Sequence, residues 1–302
     1  MAISNVSTYQ VFQQTLSDVT KVSSELSQQQ GQLSSGNKSS DFAGIANQSQ
    51  QYLALSASIA QSEQYLSDNK AVEARLETTS SILGQLIQVA TDLNNLIAQR
   101  RTGVQVNSAF QLQLQEKWQI MVGQLNTNSA GRYLFSGSAV DKAAVNNVDF
   151  PTLTVEGVPD SSYYTGSQQD ITLRADNSVV LTYNVRADDP GIQKIFAGLA
   201  IAKQADIENN DTLFQQAYAF IQDGVKGVVA TKATVDSNKV AVSNINDNHE
   251  KFTLYWKGLQ ESIGNTDIVA VSTQVAVNQG ILQAAFQAFA KINSLRLSDF
   301  LR

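Results

Sequence analysis

The 302-residue sequence contains no cysteine and a single histidine. The absence of cysteine excludes disulfide bonds and thiolate sites. A zinc-protease helix carries two histidines four residues apart, so His249 alone does not make one. His249 also occupies a heptad position of a predicted coiled coil, which argues against a catalytic Ser/His/Asp set. We interpret His249 as a residue that sets helix register.

Charge is also scarce, since only 16% of the residues are charged, with a formal net charge of −6 and a pI of about 4.8. An acidic chain with no Lys/Arg cluster beyond Arg100 and Arg101 is a poor partner for nucleic acid. No apolar run is long enough to span a bilayer, so we expect no membrane insertion. The N-terminus lacks the basic and apolar segments of a cleavable signal peptide, which by itself predicts a cytoplasmic protein.

Proline is confined to three positions in one central window, Pro151, Pro159 and Pro190. Because proline breaks helix interiors, this distribution predicts helical arms on both sides of a non-helical middle. In the central segment, β-favouring residues alternate with polar ones. This pattern predicts a small β insert with strands at 152–155, 171–174 and 179–183 and a hairpin turn at Asp176-Asn177. Asp189 followed by Pro190 is typical of a helix start and predicts a short helix over 190–204.

A heptad repeat runs from Phe214 to Ile263 and predicts a helix roughly 75 Å long. Its a series is Phe214, Ile221, Val228, Val235, Val242, His249, Trp256 and Ile263, and its d series is Ala217, Gly224, Thr231, Asn238, Ile245, Phe252 and Leu259. A helix of this length with one apolar seam needs a partner of similar length. The predicted partner is a helix from Phe42 to Arg101, capped by Asp41, and a third helix covers 107–130 with Gly131 as its stop. The predicted core residues of this rod are Leu86, Leu93, Val228, Val235, Val242 and Trp256.

Both ends of the chain carry sparse apolar stripes on otherwise polar segments. The stripes consist of Phe12, Leu16, Val19, Leu26 and Leu33 near the N-terminus, and of Ile268, Val275, Leu282, Phe289, Ile292, Leu295 and Leu301 near the C-terminus. Such helices are marginal alone because most helical stability comes from packing. We expect them to be disordered in the monomer, to become helical in an assembly and to form its interface.

The predicted fold class is mainly α: a long antiparallel coiled-coil rod with paired terminal helices and a small β insert at the distal end. The predicted domains are terminal helices over 1–36 and 265–302, a helical rod over 37–140 and 191–264, and the insert over 141–190. No phosphate-binding loop, paired catalytic carboxylates or metal-ligand pair can be argued from the residues. We therefore expect no enzyme activity and no cofactor.

Four stretches resemble the bacterial flagellin family. They are Leu33-Ser34-Ser35-Gly36 followed by Lys38 and Asp41-Phe42-Ala43-Gly44-Ile45-Ala46; Gly131-Arg132-Tyr133-Leu134-Phe135-Ser136-Gly137; Asp267 with Ile281-Leu282-Gln283-Ala284-Ala285; and Leu297-Ser298-Asp299-Phe300-Leu301-Arg302. The resemblance implies a structural protein that is exported unfolded by the flagellar export apparatus. It also implies assembly outside the cell, through the terminal helices, into a helical filament for motility. The implied partners are copies of itself, other flagellar axial proteins and an export chaperone on the C-terminal helix.

Three alternatives remain open at this stage. The turn at 131–137 and the ending at 297–302 also resemble the hook–filament junction protein of the same family, hook-associated protein 3. A second alternative is an insert that acts as an adhesin or carries glycans on Thr165, Ser167 or Ser178. An enzymatic insert is disfavoured because a metal-ligand pair is absent from it.

Overall fold

The computed structural model describes residues 2–39, 41–45, 47–103, 107–146 and 160–300. Within these ranges the helices, in chain order, are α1 (Ala2–Ser35), a 3₁₀ turn (Phe42–Ile45), α2 (Ser49–Arg101), α3 (Asn107–Leu125), α4 (Pro190–Glu208), α5 (Asp211–Gly264) and α6 (Ile268–Phe300). The strands are β1 (Asn128–Ser129), β2 (Arg132–Tyr133), β3 (Thr172–Arg174) and β4 (Val180–Thr182). Long packed helices and two small antiparallel sheets confirm the predicted mainly-α class with a small β insert.

The chain divides into two compact units. The terminal unit combines Met1–Gln61 with Thr253–Arg302, and the central unit is Ser62–Phe252. The helices α2 and α5 supply residues to both units. The domain boundaries proposed from the sequence, at residues 36, 140, 190 and 264, stay a prediction.

The core of the central unit is formed by α2, α3, α4 and α5. Leu86 and Leu93 of α2 are fully buried in it. Trp118 of α3 packs edge-on against Phe196 of α4, with ring centroids 4.7 Å apart. The ring of Tyr163, from the insert, lies 4.8 Å from the same Phe196. Since each fully buried side chain of this size contributes about 1.5–3 kcal/mol, this aromatic cluster holds the insert to the helices.

The helices α2 and α5 run antiparallel in the central unit, because residue numbers rise along one helix as they fall along the other. Glu77 pairs with Lys239 at 2.6 Å, and the Ser80 hydroxyl donates to Asp236 at 2.6 Å. A hydrogen bond from Lys232, assisted by the one from Ser80, lowers the pKa of Asp236. These groups are partly exposed, so each pair adds little stability and chiefly marks the alignment of the helices.

Glycine allows α4 and α5 to approach backbone to backbone. A Cβ added at Gly224 would lie 2.7 Å from the carbonyl oxygen of Gly191, and one at Gly227 would lie 2.8 Å from Gly191 Cα. Farther along the same crossing, a Cβ at Gly198 would lie 2.9 Å from the carbonyl oxygen of Ala217. Real Cβ atoms do not come this close to backbone atoms, so the crossing requires glycine on both helices.

The predicted start of α4 is confirmed. Asp189 caps the helix by accepting a hydrogen bond from the Gly191 backbone at 2.8 Å, and Pro190 occupies the first turn. The helix continues to Glu208, four residues beyond the prediction, and ends at Asn209 in the left-handed conformation with φ +48°. Asn tolerates that conformation better than most residues, which makes it a suitable stop.

The predicted hairpin at Asp176-Asn177 is also confirmed: β3 and β4 pair antiparallel, with Thr172 opposite Thr182. Its turn is held by a hydrogen bond of 3.0 Å from the Ala175 backbone nitrogen to the Val179 carbonyl. The strand predicted at 152–155 lies outside the described residues.

Two predicted helix boundaries are wrong. The helix α2 begins at Ser49 rather than next to Asp41, which instead precedes the 3₁₀ turn and accepts a hydrogen bond from the Ser39 hydroxyl at 3.0 Å. The helix α3 ends at Leu125, and Gly131 lies in the β1–β2 turn with φ +80°. A glycine at positive φ serves a hairpin turn as well as a helix end, so its presence alone did not separate the two.

Candidate assembly surface

The helices α1 and α6 pack antiparallel in the terminal unit along one narrow seam. Phe12 and Phe289 meet in it, with ring centroids 4.9 Å apart. Buried and half-buried residues recur at alternating spacings of three and four, as in a coiled coil. They are Phe12, Thr15, Val19, Val22, Leu26, Gln29 and Leu33 on α1, and Val271, Val275, Asn278, Leu282, Ala285 and Phe289 on α6. Each helix therefore uses one stripe for this pairing.

A polar pair interrupts the apolar seam. Asn278 is only 2% exposed, and its side-chain amide donates to Gln29 Oε1 at 3.0 Å. A buried amide needs a polar partner directly opposite, so this pair favours one register of α1 against α6.

The connections at the base of the two terminal helices are joined by main-chain hydrogen bonds. The Thr266 nitrogen donates to the Gly36 carbonyl, and the Lys38 nitrogen donates to the Gly264 carbonyl, both at 2.8 Å. Lys38 Nζ donates at 2.9 Å to two further carbonyls in the last turn of α5. A lysine at this position satisfies carbonyls that a helix end leaves unpaired and complements its dipole. The start of α6 is capped by Asp267, whose Oδ1 accepts from Val269 and Ala270 at 3.0 Å.

Outside the seam, α6 exposes apolar side chains in this single chain. Positions 268 to 290 include no charged residue. Five large apolar side chains on this stretch are 47% to 77% exposed: Ile268, Val269, Val277, Ile281 and Phe286. A helix that is apolar on several faces is ordinarily buried on several faces. The pairing with α1 covers only one of them.

The structure distributes the predicted interface residues unevenly. Those that lie half-buried in the α1–α6 seam are Phe12, Val19, Leu26, Leu33, Val275, Leu282 and Phe289. Leu16 and Ile268 are exposed beside it instead. The side chains of Ile292 and Leu295, and all of Leu301, lie outside the described residues.

The predicted rod-core residues lie in both units. In the central unit, Leu86, Leu93, Val228, Val235 and Val242 are at most 2% exposed. Trp256 is half-buried in the terminal unit. Sequence reasoning singled out neither Gln29 nor Asn278. The pattern that could have predicted this pair is an amide side chain at a seam position of each of the two facing helices.

Two hydroxyls proposed as glycan carriers are engaged within the insert. Thr165 Oγ1 donates to the Ala143 carbonyl at 2.7 Å, and the Ser138 hydroxyl donates to Ser167 Oγ at 2.8 Å. Modification of Thr165 or Ser167 would have to displace these bonds. This alternative stays a prediction.

Within the described parts of the chain, no cluster of three or more His, Asp or Glu side chains could hold a metal ion. None of the described helices combines the length and the apolar character that a membrane crossing requires.

Comparison with known families finds a match for the N-terminal part of the chain. Residues 6–140 match the bacterial flagellin N-terminal helical region. The match covers α1 from residue 6 onward, α2 and α3 together with the β1–β2 turn, and so includes two of the four stretches on which the resemblance was based. The resemblance to the flagellin family is confirmed over these residues. The comparison with curated proteins finds no significant match.

Solved structures with a similar fold include a putative flagellar hook-associated protein from Vibrio parahaemolyticus. It has a TM-score of 0.60 and 15% identity, and the match covers 74% of this chain and all of that one. FlgL from Xanthomonas campestris has a TM-score of 0.54 and 12% identity, over 68% of this chain and 99% of that one. FlgL from Bacillus cereus has a TM-score of 0.50 and 15% identity, over 65% and 98% of the two chains. At such identities the likeness establishes a common fold.

Proposed function

Because residues 6–140 carry the helical region with which bacterial flagellins begin, we propose that this chain is a structural subunit of the bacterial flagellum. In this proposal it has no enzymatic role and lies outside the cell, in the axial part of the organelle. It assembles with copies of itself and with other axial proteins through α1 and α6. We also propose that the chain is exported unfolded by the flagellar export apparatus and that an export chaperone binds its C-terminal helix.

One observation carries the assembly role: α6 leaves large apolar side chains exposed after it has paired with α1. Completing the burial of five side chains that are about half exposed would contribute on the order of 5 kcal/mol per chain. A contribution of this size stabilises the bound state of two helices that are marginal alone. Folding of the terminal unit would then be coupled to subunit concentration by mass action.

Two positions in the flagellum fit this role. A filament subunit, the first prediction from the sequence, repeats along the whole filament. A hook–filament junction protein occupies a short zone and needs the hook end as its template. The similar solved structures favour the junction position, because they are a putative flagellar hook-associated protein and two FlgL proteins. We therefore place the junction role first and the filament role second.

Electron microscopy of the purified full chain, alone and with isolated hooks, separates the two positions. A junction protein forms short caps on hook ends and no tubes by itself. A filament subunit forms long tubes without hooks. A variant lacking residues 1–35 should do neither, since it lacks the partner of α6.

Point variants test the surface itself. Ile281→Gln and Phe286→Gln remove exposed apolar groups on α6 and should abolish caps or tubes while the helical content stays unchanged. Leu112→Gln is the matched control, because Leu112 is 71% exposed on α3 of the central unit. Assembly that survives both α6 substitutions would contradict the proposed surface.

A further inference from the structure

The seam between α2 and α5 changes character along the central unit. On α5 the buried positions are apolar up to Val242, and the next two, Asn246 and His249, are polar. On α2 the facing part carries buried Asn69 and Ser62. We call these four residues the polar layer. A polar layer inside a helical seam is costly unless each of its groups has a partner.

Most groups of the layer are satisfied by named partners. Asn69 Nδ2 donates to the Ala175 carbonyl at 3.0 Å, and His249 Nε2 donates to the same oxygen at 3.2 Å. Because that partner can only accept, Nε2 carries a hydrogen, and Nδ1 faces the Ser62 hydroxyl at 3.1 Å. Asn246 Nδ2 donates to Glu73 Oε2 at 3.1 Å.

Two acceptors of the polar layer have no hydrogen-bond partner among the described residues, Asn69 Oδ1 and Asn246 Oδ1. Their side chains are 0% and 5% exposed. Rotating either amide by 180° would not help, since it would place an oxygen against the Ala175 carbonyl or the Glu73 carboxylate. A buried acceptor left unpaired is unfavourable, so a molecule that donates hydrogen bonds to these oxygens would stabilise the layer.

Hydrogen bonds link the two amides through neighbouring helical turns. Glu73 lies one turn after Asn69 on α2, and His249 lies one turn after Asn246 on α5. The bonds from Asn246 to Glu73, and from Asn69 and His249 to Ala175, bridge the two helices and the β3–β4 turn into a closed ring. In each amide the nitrogen already donates a hydrogen bond within this ring. The amide oxygen is the atom that still lacks a donor.

We propose that this ring holds one buried water molecule, which donates a hydrogen bond to Asn69 Oδ1 and another to Asn246 Oδ1. A buried water needs two to four polar partners, which the two amides begin to supply. Hard cations such as Ca²⁺ take six or more oxygens with several carboxylates, and Glu73 is the one carboxylate bonded within the ring. The water would complete the hydrogen bonding of the side chains that hold the Ala175 carbonyl, and through it the hairpin turn.

The test is water-oxygen-17 magnetic relaxation dispersion on the full chain, which counts long-lived internal waters. The double variant Asn69→Leu/Asn246→Leu replaces both amides by apolar groups and should lose one such water relative to the wild type. Asn248→Leu, an exposed position on the same helix, should lose none. An equal count in the wild type and the double variant would overturn the proposal.

A second readout covers the case in which the double variant folds poorly. In urea unfolding of the wild type, both single variants and the double variant, the effects on the unfolding constant should depart from multiplicative behaviour by about threefold or more, because the amides share one ligand. Independent effects would contradict a shared water. A thermal midpoint that rises with added CaCl₂ and falls with EDTA in the wild type, but not in the double variant, would assign the site to a cation and reject the water.

Discussion

The glycine crossing of α4 and α5 predicts that one substitution, Gly→Ala, has opposite effects at two positions in the central unit. At Gly224 the new methyl group would lie 2.7 Å from the Gly191 carbonyl oxygen and 2.6 Å from Ile195 Cγ1. At Gly123, on the exposed side of α3, the methyl group would meet nothing within 4 Å. Both glycines are inside helices, so the change in helix propensity is similar.

The expected magnitudes follow from two opposing terms. Replacing a helical glycine by alanine stabilises by up to about 1 kcal/mol. Forcing a methyl group into a packed backbone contact costs about 1–3 kcal/mol, because α4 and α5 must move apart. Gly123→Ala should therefore gain up to about 1 kcal/mol. Gly224→Ala should lose up to about 2 kcal/mol once the propensity gain is subtracted.

The assay is thermal and urea unfolding of the full chain, followed by helical circular dichroism. For a unit of this size, 1 kcal/mol corresponds to a shift of roughly 2–4 °C in Tm. Gly224→Ala should thus unfold several degrees below Gly123→Ala. If the two variants shift Tm by the same amount in the same direction, the close approach of α4 and α5 is not what makes Gly224 necessary.

Three further predictions concern the central unit. Leu93→Ala empties a fully buried site and should destabilise by about 2–5 kcal/mol in urea unfolding. Arg100→Met leaves the buried carboxylate of Asp206, its partner at 2.6 Å, without its cation and should cost about 3–5 kcal/mol, most of which Arg100→Met/Asp206→Leu should recover. Lys232 keeps the pKa of Asp236 below its unfolded value of about 3.9, so the small stability that Asp236 contributes is present above pH about 4 and lost as the pH falls through the lower folded pKa. Urea midpoints measured from pH 5 to pH 2.5 should fall less steeply in Asp236→Asn than in the wild type.

The sequence predicted those features that depend on local pattern. The heptad series placed α5 within a few residues of its observed bounds, since Asp211–Gly264 encloses the predicted Phe214–Ile263. Asp189-Pro190 predicted a helix start because both residues act locally, one through its side chain and one through its fixed φ. Gly131 was wrongly predicted to end the third helix, because a glycine at positive φ occurs both at helix ends and in hairpin turns.

Features that depend on which residues face each other could not be read from one sequence. The glycines of α4 and α5 look like weak points within each helix, and only the crossing shows that they are needed. Phe252 follows the heptad count but is 54% exposed, while its neighbour Thr253 is buried, because an ideal helix drifts relative to a strict seven-residue repeat. The polar layer is similar: Asn69 and Asn246 are 177 residues apart, and nothing local relates them.

Polar residues in the seams also supply what the heptad pattern lacks, which is register. A seam with apolar residues every seven positions can slip by one heptad and form equivalent apolar contacts again. Such a slip in the terminal unit would take Asn278 away from Gln29 and bury its amide without a partner, at a cost of about 1–3 kcal/mol. In the central unit a slip of α5 along α2 would separate Asn246 from Glu73 and His249 from Ser62 at once. The apolar repeats thus determine which helix faces pair, and these few amide and imidazole groups determine how far along each helix the pairing begins.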